Sequence, residues 1–291
     1  MSAAGLLITD KSIKAVKMAG KKPMLASVPI ETGVLENGLV KDREKFKSAI
    51  LRLPSQLALS KTDVILGLPE KHIFSKTITI KDHEIDFDEK IREELETYVP
   101  EGGQSYTDWQ VSERSADFET IFVASAPASI LDTYLEILEE ASIMIVGIEP
   151  LAVALSRHLP KALPTSTPPK ETNTSTKPQG KQAGPPVKEA APEVKESQPT
   201  STLLIALEGS DVLLTIISEK GRIELTSVLP AGNANDLSSE ISNMRSFYDK
   251  KGGHTTIGRA YLTGEGATEE LKNQIATHLS ITSELLRIPD S

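Results

Sequence analysis

Four residues, towards the two ends of the chain, have the chemistry to bind a phosphate group. Ser12 and Lys14 follow a short polar turn, and Gly264 and Gly266 follow an apolar run. A hydroxyl, an ammonium group and glycine backbone that allows close approach are groups with which proteins hold nucleotide phosphates. These residues therefore form a candidate residual nucleotide site. In the simpler interpretation, which we favour, Lys14 is an exposed strand residue and the glycines only make a turn.

The residues that would complete a catalytic site are replaced by others. The pattern around the turn at 9–12 predicts a β-hairpin with apolar positions at Leu6, Ile8, Ile13 and Val16. In nucleotide-binding hairpins of this shape an acid holds the metal and a glycine admits the phosphate, but Leu7 and Thr9 occupy these positions. Hydrolysis needs a carboxylate for Mg²⁺ and a group that orients water. We therefore predict no catalytic residues, no metal site and no cofactor, with ATP and Mg²⁺ disfavoured.

The composition is that of a soluble, acidic chain. Of 291 residues, 38% are hydrophobic and 25% charged, which allows a sizeable core. The formal net charge of −9 argues against broad nucleic-acid binding, which needs a surplus of Lys and Arg. The absence of cysteine removes disulfides and thiolate chemistry and fits a reducing compartment. We expect neither a secretory leader nor a membrane span, which needs about 20 apolar residues.

Residues 160–200 differ in composition from the rest of the chain. They contain nine of the 18 prolines and no aromatic residue. Such a segment cannot form a core, so we predict a disordered linker between a first part at 1–159 and a second part at 201–291.

Both parts mix strand and helix patterns, which predicts an α/β protein. In the first part we predict helices after Asp42, over 89–98 and after Pro127, and strands at 24–30, 64–69, 72–80, 107–112, 120–126 and 143–148. In the second part, a strand-turn-strand pattern at 202–217 precedes a helix capped by Asp236, a strand at 259–263 and a further helix. Because each part opens with a hairpin and adds helices, we predict an internal duplication.

Short motifs in the first part occur in the order and spacing of a known family. They are the segments 64–69 (VILGLP), 98–100 (YVP), 108–111 (DWQV), 122–127 (FVASAP) and 148–150 (IEP). By these motifs the chain resembles the PilM family of actin-like type IV pilus assembly proteins, which is similar to the cell-division protein FtsA. The resemblance implies a two-lobe, ribonuclease-H-like fold with a small α+β subdomain, called 1C or SHS2, inserted at about 71–126.

The same resemblance implies a degenerate nucleotide site, as in a pseudo-ATPase. The family's first hairpin carries Asp and Gly at the positions of Leu7 and Thr9, and Ala206 and Glu208 occupy the matching positions of the second hairpin. Glu208 adds negative charge where a phosphate would bind. The glycine turn that contacts adenosine is partly retained around Glu265.

The second part is shorter than the resemblance implies. The family inserts a subdomain between positions that correspond here to residues 233 and 240, where almost nothing intervenes. A last strand and helix expected after Pro289 also have no counterpart.

For function, the resemblance implies a groove for a partner. In the family, the extra subdomain and the adjoining lobe receive the cytoplasmic tail of the inner-membrane protein PilN, and residues 64–126 are the matching region. Trp109 and Tyr98 are candidate partner contacts, although burial in a strand is the favoured interpretation of Trp109. We expect a non-catalytic cytoplasmic scaffold of a type IV pilus or related secretion machine. It would bind a PilN-like tail and other assembly components, reach the membrane only indirectly, bind no nucleic acid, and could form homo-oligomers.

Two other functions remain open. One is an active actin-like ATPase whose acids come from unexpected positions. The other is a membrane tether like FtsA, which uses an amphipathic C-terminal helix, whereas residues 285–291 show no basic, apolar face.

Overall fold

The structure, a computed structural model, describes residues 3–81, 86–96, 103–160, 200–230, 234–250 and 256–286. Its strands are β1 (Ala3–Ile8), β2 (Ser12–Ala19), β3 (Lys22–Pro29), β4 (Leu35–Glu36), β5 (Leu39–Val40), β6 (Asp63–Leu68), β7 (Phe74–Ile80), β8 (Ser105–Arg114), β9 (Glu119–Pro127), β10 (Met144–Pro150), β11 (Thr200–Glu208), β12 (Asp211–Ile217), β13 (Ile223–Pro230), β14 (Thr256–Gly264) and β15 (Thr282–Leu285). Its helices are α1 (Arg43–Ile50), α2 (Leu53–Leu57), α3 (Phe87–Glu96), α4 (Ala128–Glu140), α5 (Leu151–Ser156), α6 (Ala234–Lys250) and α7 (Glu269–Leu279), with a 3₁₀ turn at Glu70–His72. Within the described ranges, no helix has the length and apolar character needed to cross a membrane.

Two five-stranded sheets of the same topology form the frame. The first has the order β10-β6-β1-β2-β3 and the second the order β15-β14-β11-β12-β13. In each sheet the three strands that come first in the chain pair antiparallel, β1-β2-β3 in the first sheet and β11-β12-β13 in the second. Two later strands then pair in parallel on the other side of β1 or β11. Parallel neighbours need crossover connections, and helices supply them in both halves. The structure thus contains the duplication that the sequence predicts.

The opening hairpin buries one face of each strand, as its alternating pattern requires. Leu6, Ile8 and Ile13 are buried in the core of the first lobe. Val16 is only half-buried, and Ala15 takes the inward position instead, because residues two apart share a face of a strand.

The helix starts show one correct and one wrong prediction. Asp42 begins α1 as expected, with Oδ1 accepting a hydrogen bond from the Lys45 N–H at 3.0 Å. Asp236 was expected to cap the helix of the second lobe, but α6 begins at Ala234, so Asp236 lies inside its first turn. The buried positions of α6 are Leu237, Ile241, Met244 and Tyr248, at the three- and four-residue spacing of one helix face.

Between β6 and β10 the chain forms a separate small sheet, at the place where the sequence indicates an inserted subdomain. Its order is β7-β9-β8, and all pairs are antiparallel. Helix α3 covers one face, where Ile78, Ile80, Ile91, Ile121 and Val123 make a small core. Tyr98, where the predicted helix over 89–98 would end, lies outside the described residues.

The predicted linker also falls almost wholly outside the described residues, at 161–199. The chain re-enters the described part at Thr200, the first residue of β11. In the second lobe, three residues separate the end of β13 from the start of α6. The fifth strand of this sheet, β15, was not anticipated from the sequence.

An apolar cluster joins the two lobes and the inserted sheet. Its buried members come from α5 and from the second sheet, and they are Leu151, Ala152, Leu204, Ala206, Leu213, Ile217, Ile223 and Tyr261. Leu7 of β1 and Phe122 of β9 pack against this cluster. The two positions at which the resemblance implies acids, Leu7 and Ala206, therefore belong to one hydrophobic contact region.

We predict that Leu7→Asp destabilises the chain by roughly 2–4 kcal/mol, because it removes apolar contacts and places a carboxylate beside them. Ile65→Asp is the control, since Ile65 lies on the same face of the same sheet but is 37% exposed. Its cost should stay near 1 kcal/mol, about the average for a point mutation. Urea denaturation compares the two variants, and equal losses of stability would contradict the packing role of Leu7.

Candidate functional site

The turns of the two hairpins meet at one end of the sheets, where a nucleotide would lie between the lobes. A side chain at Gly209, in the second turn, would touch the aliphatic part of Lys11 in the first, since a Cβ there would lie 3.4 Å from Lys11 Cδ. We call the space between the two hairpin turns the cleft, and this close approach makes it narrow. The charged side chains around the cleft determine which ligands it could bind.

Lys14 of the predicted nucleotide site is engaged by carboxylates of the opposite lobe. Its Nζ lies 2.9 Å from Glu208 Oε2 and 3.1 Å from Glu265 Oε1. Burial lowers the pKa of Lys14, but the two carboxylates outweigh burial and raise the pKa above its ordinary value. Glu265 is 77% exposed, so its ion pair with Lys14 contributes less to stability than the pair between Lys14 and the less exposed Glu208. Lys14 is therefore not the free, exposed strand residue that we favoured.

A second cation, which the sequence analysis missed, bridges the two turns directly. Lys71 Nζ lies 2.8 Å from Asp10 Oδ2 in the first turn and 2.7 Å from Asp211 Oδ2 in the second. Burial acts to lower the pKa of Lys71, but these two acids raise it overall. The signal for Lys71 was its place after buried strand β6, because ligands in such sheets bind at the carboxyl ends of the strands.

Asp10 is held in place from its own lobe as well. Its carboxylate accepts hydrogen bonds from the Gly38 N–H at 2.9 Å and the Asn37 N–H at 3.2 Å, and His72 Nε2 lies 3.4 Å from Oδ1. Burial raises the pKa of Asp10, but the contacts with His72, Lys71 and Gly38 outweigh burial and hold the pKa well below its ordinary value. Asp10 thus stays ionised and paired.

Thr9 uses the backbone donors of the first turn. Its Oγ1 accepts from the Ser12 N–H at 3.0 Å and from the Lys11 N–H at 3.4 Å, and donates to the Ser12 carbonyl at 3.0 Å. In phosphate-binding turns, such N–H groups point at the anion. Here they are turned towards a side chain of the protein, and Ser12 belongs to that local network.

Gly264 and Gly266 are explained by packing. Gly264 has φ +98°, and a Cβ there would lie 2.0 Å from the carbonyl oxygen of Leu207. A Cβ at Gly266 would lie 3.1 Å from the Leu207 side chain. The two glycines therefore let the end of β14 pass close to β11, which agrees with the interpretation that they make a turn.

The cleft brings together most of the predicted nucleotide-binding residues, but the Lys14 ammonium and the Ser12 N–H already have partners within the protein. Lys14 meets the glycine turn through Glu265, while Ser12 bonds within its own turn. No group of three or more His, Cys, Asp or Glu side chains able to hold a metal occurs in the described part of the chain. Bound phosphate or Mg²⁺ would have to displace ion pairs that already exist.

A cavity, which we call the groove, adjoins the cleft at the 3₁₀ turn. It has a volume of about 950 Å³ and lies between the 3₁₀ turn, β7, the starts of β8 and α4, and β13. In their described sheets, β7 and β13 are edge strands, each paired on one side. The Thr77 hydroxyl donates to the Ile223 carbonyl where the two edges meet. An extended chain could therefore lie between two strand edges, which is how many peptides are bound.

Glu70 is the ionisable group most strongly affected by burial in the groove. It is 8% exposed, and Oε1 accepts the Ala152 N–H at 2.5 Å. Burial raises the pKa of Glu70 to about 7, against the opposing effect of that hydrogen bond. Its other oxygen, Oε2, has no hydrogen-bond partner among the described residues.

Of the two predicted partner contacts, only Trp109 can be placed, because Tyr98 is outside the described residues. Trp109 lies on β8 and is 37% exposed, so the favoured interpretation that it is buried in the strand is wrong. Phe87 packs edge-on against it, with ring centroids 5.1 Å apart. Trp109 is not among the residues that line the groove.

We predict a pH-dependent gain in stability for Glu70→Gln. In the folded state the pKa of Glu70 is raised from 4.5 to about 7, so the native state favours the protonated carboxyl. The free energy of unfolding of the wild type therefore falls as the pH rises from 4.5 to about 7. The stability difference between variant and wild type should grow by roughly 2–3 kcal/mol from pH 5 to pH 8. Urea denaturation at both pH values measures it. Glu139→Gln, at an exposed residue of α4, is the control, and parallel curves for Glu70→Gln and wild type would contradict the prediction.

Gly264→Ala should be much more harmful than Gly221→Ala. Both glycines have positive φ, at +98° and +78°, but a Cβ at Gly221 would meet nothing within 4 Å. Gly221→Ala should therefore cost about 1–2 kcal/mol for its backbone conformation alone. Gly264→Ala must also move the backbone of Leu207 and should cost over about 3 kcal/mol or prevent folding. Thermal unfolding compares them, and similar midpoints would contradict the close approach.

Comparison with known proteins identifies the fold. No protein-family model matches the sequence, and no curated protein matches it. Among solved structures, a PilM-PilN type IV pilus biogenesis complex has TM-score 0.70 and 16% identity, over 97% of this chain and 87% of that one. A Bacteroides thetaiotaomicron protein with an actin-like ATPase fold and unknown function has TM-score 0.54 and 8% identity, over 98% and 90%. The cytoplasmic domain of EpsL, an inner-membrane component of the Vibrio cholerae type II secretion system, has TM-score 0.50 and 9% identity, over 96% and 94%. The chain therefore has the actin-like ATPase fold, as its resemblance to the PilM family implies.

Proposed function

We propose that this chain is a non-catalytic actin-like scaffold that binds the cytoplasmic tail of an inner-membrane assembly protein. The observation that carries the proposal is that both lysines of the cleft are ion-paired with carboxylates of the protein. Lys14 and Lys71 each contact two carboxylates of the protein at 2.7–3.1 Å. In an active site of this fold, a lysine in such a position would be available for phosphate.

The protein lacks the electrostatics needed for triphosphate. Four acids of the cleft, Asp10, Asp211, Glu208 and Glu265, are paired with Lys14 and Lys71, and Lys11 is a third cation near the second turn. Without Mg²⁺, a triphosphate would add further negative charge to an excess of acids, and this repulsion is strong where water is partly excluded. The positions that could hold Mg²⁺ through an acid carry the apolar Leu7 and Ala206. We infer that the closed arrangement of the lobes is permanent and independent of nucleotide.

The groove is the surface that suits a partner. It has a volume of about 950 Å³, it combines backbone edges of β7 and β13 with apolar walls, and it lies beside the inserted sheet. An extended tail can hydrogen-bond to a strand edge and place alternate side chains in pockets. The PilM-PilN complex belongs to type IV pilus biogenesis, and EpsL belongs to a type II secretion system. The proposed partner is by analogy a PilN-like protein of a type IV pilus or related machine, which would hold the scaffold at the inner face of the membrane.

Calorimetric titration tests the proposal. We expect Mg-ATP to show no binding up to about 1 mM, and synthetic peptides of the cytoplasmic tails of inner-membrane proteins from the same organism to include one with a Kd in the range of about 1–100 μM. Thr226→Arg places a large side chain in the groove wall on β13 and should abolish peptide binding.

The matched control is Thr277→Arg on the exposed surface of α7, which should bind the peptide as wild type does. Micromolar affinity for Mg-ATP would reject the non-catalytic scaffold and favour the active ATPase. Failure of every tail peptide to bind would reject the docking function.

A further inference from the structure

The groove contains a buried carboxylate oxygen that nothing in the described chain neutralises. Glu70 Oε2 has no hydrogen-bond partner among the described residues. The ring nitrogens of His72 and the hydroxyl of Ser75, which also line the groove, have no well-aligned hydrogen bond there either. Buried polar atoms without partners are rare in native proteins, and each one needs an explanation.

The other charged groups that line the groove are already satisfied within the chain. Their contacts are Lys71 with Asp10 and Asp211, Lys76 with Glu94, Glu224 with Arg222, and Asp132 with the Tyr106 hydroxyl. Glu70 is thus the acid of the described groove wall whose charge a ligand could still compensate.

We propose that the groove selects an occupant with a cationic group, ammonium or guanidinium, and that Glu70 Oε2 accepts its hydrogen bond. The inference rests on the proposed function, because the occupant is the tail that binds the same groove. Glu70 lines the groove and its Oε1 is occupied by the Ala152 N–H, so Oε2 is the oxygen left to accept a hydrogen bond from an occupant. A hydrogen bond between two charged groups is stronger than a neutral one, so Glu70 would act as a specificity-determining residue.

The chemistry of a cytoplasmic tail complements this acid. Cytoplasmic segments next to a membrane span carry an excess of Lys and Arg. The chain has a formal net charge of −9, so a basic tail is attracted to it before contact. The cation can be a side chain or the free amino terminus of the tail, since both carry N–H donors that suit a carboxylate.

The proposal has a pH signature. Burial raises the pKa of Glu70 to about 7, and only the ionised carboxylate attracts a cation. Affinity for a cationic tail should therefore rise about tenfold from pH 6 to pH 8 as the carboxylate ionises. The ionisable neighbours are Lys71 and His72 on the same turn and Glu224 on β13, while α5 contributes only backbone.

The test starts from the tail peptide that binds the wild-type chain. Each of its lysines and arginines is replaced in turn by norleucine, and a separate peptide is acetylated at its amino terminus. These peptides show whether a side chain or the amino terminus supplies the cation that binds Glu70. One of these changes should weaken binding by about tenfold to a hundredfold at pH 8, as expected for a charged hydrogen bond. Glu70→Gln should weaken binding of the unchanged peptide by a similar factor and remove its dependence on pH.

Glu224→Gln is the matched control, since it converts another groove acid to an amide where Arg222 already supplies the partner. It should leave the effect of the peptide's cation intact. A peptide that binds with the same affinity after every neutralisation, or equally well to Glu70→Gln, overturns the role of Glu70 while the scaffold function stands. Failure of all peptides to bind overturns both.

Discussion

Two partly buried cations need anions, and in this protein the anions come from the protein itself. Lys14 and Lys71 both lose hydration where the hairpin turns of the lobes approach each other, and each lies between two carboxylates, at least one of them from the second lobe. Removal of one member of such a group would leave an uncompensated charge, which costs more than the pair contributes. The contacts that fill the cleft therefore also connect the two lobes. In an actin-like protein that binds nucleotide, the ligand would supply that negative charge.

The uncharged residues of the cleft are also satisfied by contacts within the chain. Thr9 satisfies backbone N–H groups that a glycine turn would leave available, and Leu7 places an aliphatic side chain where an acid would need Mg²⁺ or another partner. Together these residues leave few unsatisfied groups at the cleft, because hydrogen bonds close the turn, carboxylates neutralise the lysines, and apolar contacts fill the interface beneath. Such consistency between neighbouring positions is typical of natural sequences.

The sequence predicts what depends on local patterns and misses what depends on contacts between distant residues. Asp42 and the helix faces follow from spacing along the chain, and the repeated hairpins predict two similar sheets. The partners of Lys14 lie 194 and 251 positions away, and no spacing rule connects them. Trp109 was misjudged because β8 is an edge strand, whose exposure is fixed by sheet order and not by residue type. Asp236 has the chemistry of a cap, but the helix starts before it.

The cleft and the groove share the turn Glu70–His72, so the ion pairs of the cleft also bear on the position of a groove wall. Lys71 points into the cleft and fixes the turn against both hairpins, while Glu70 on the same turn lies in the groove wall. Since a 3₁₀ turn of three residues has little freedom of its own, anchoring Lys71 also fixes the position of Glu70. A nucleotide that opened and closed the lobes would move this turn and reshape the groove with it. Under the proposed function, a turn anchored by the ion pairs of the cleft would form the groove in advance, and such a site loses less entropy when an extended peptide enters it.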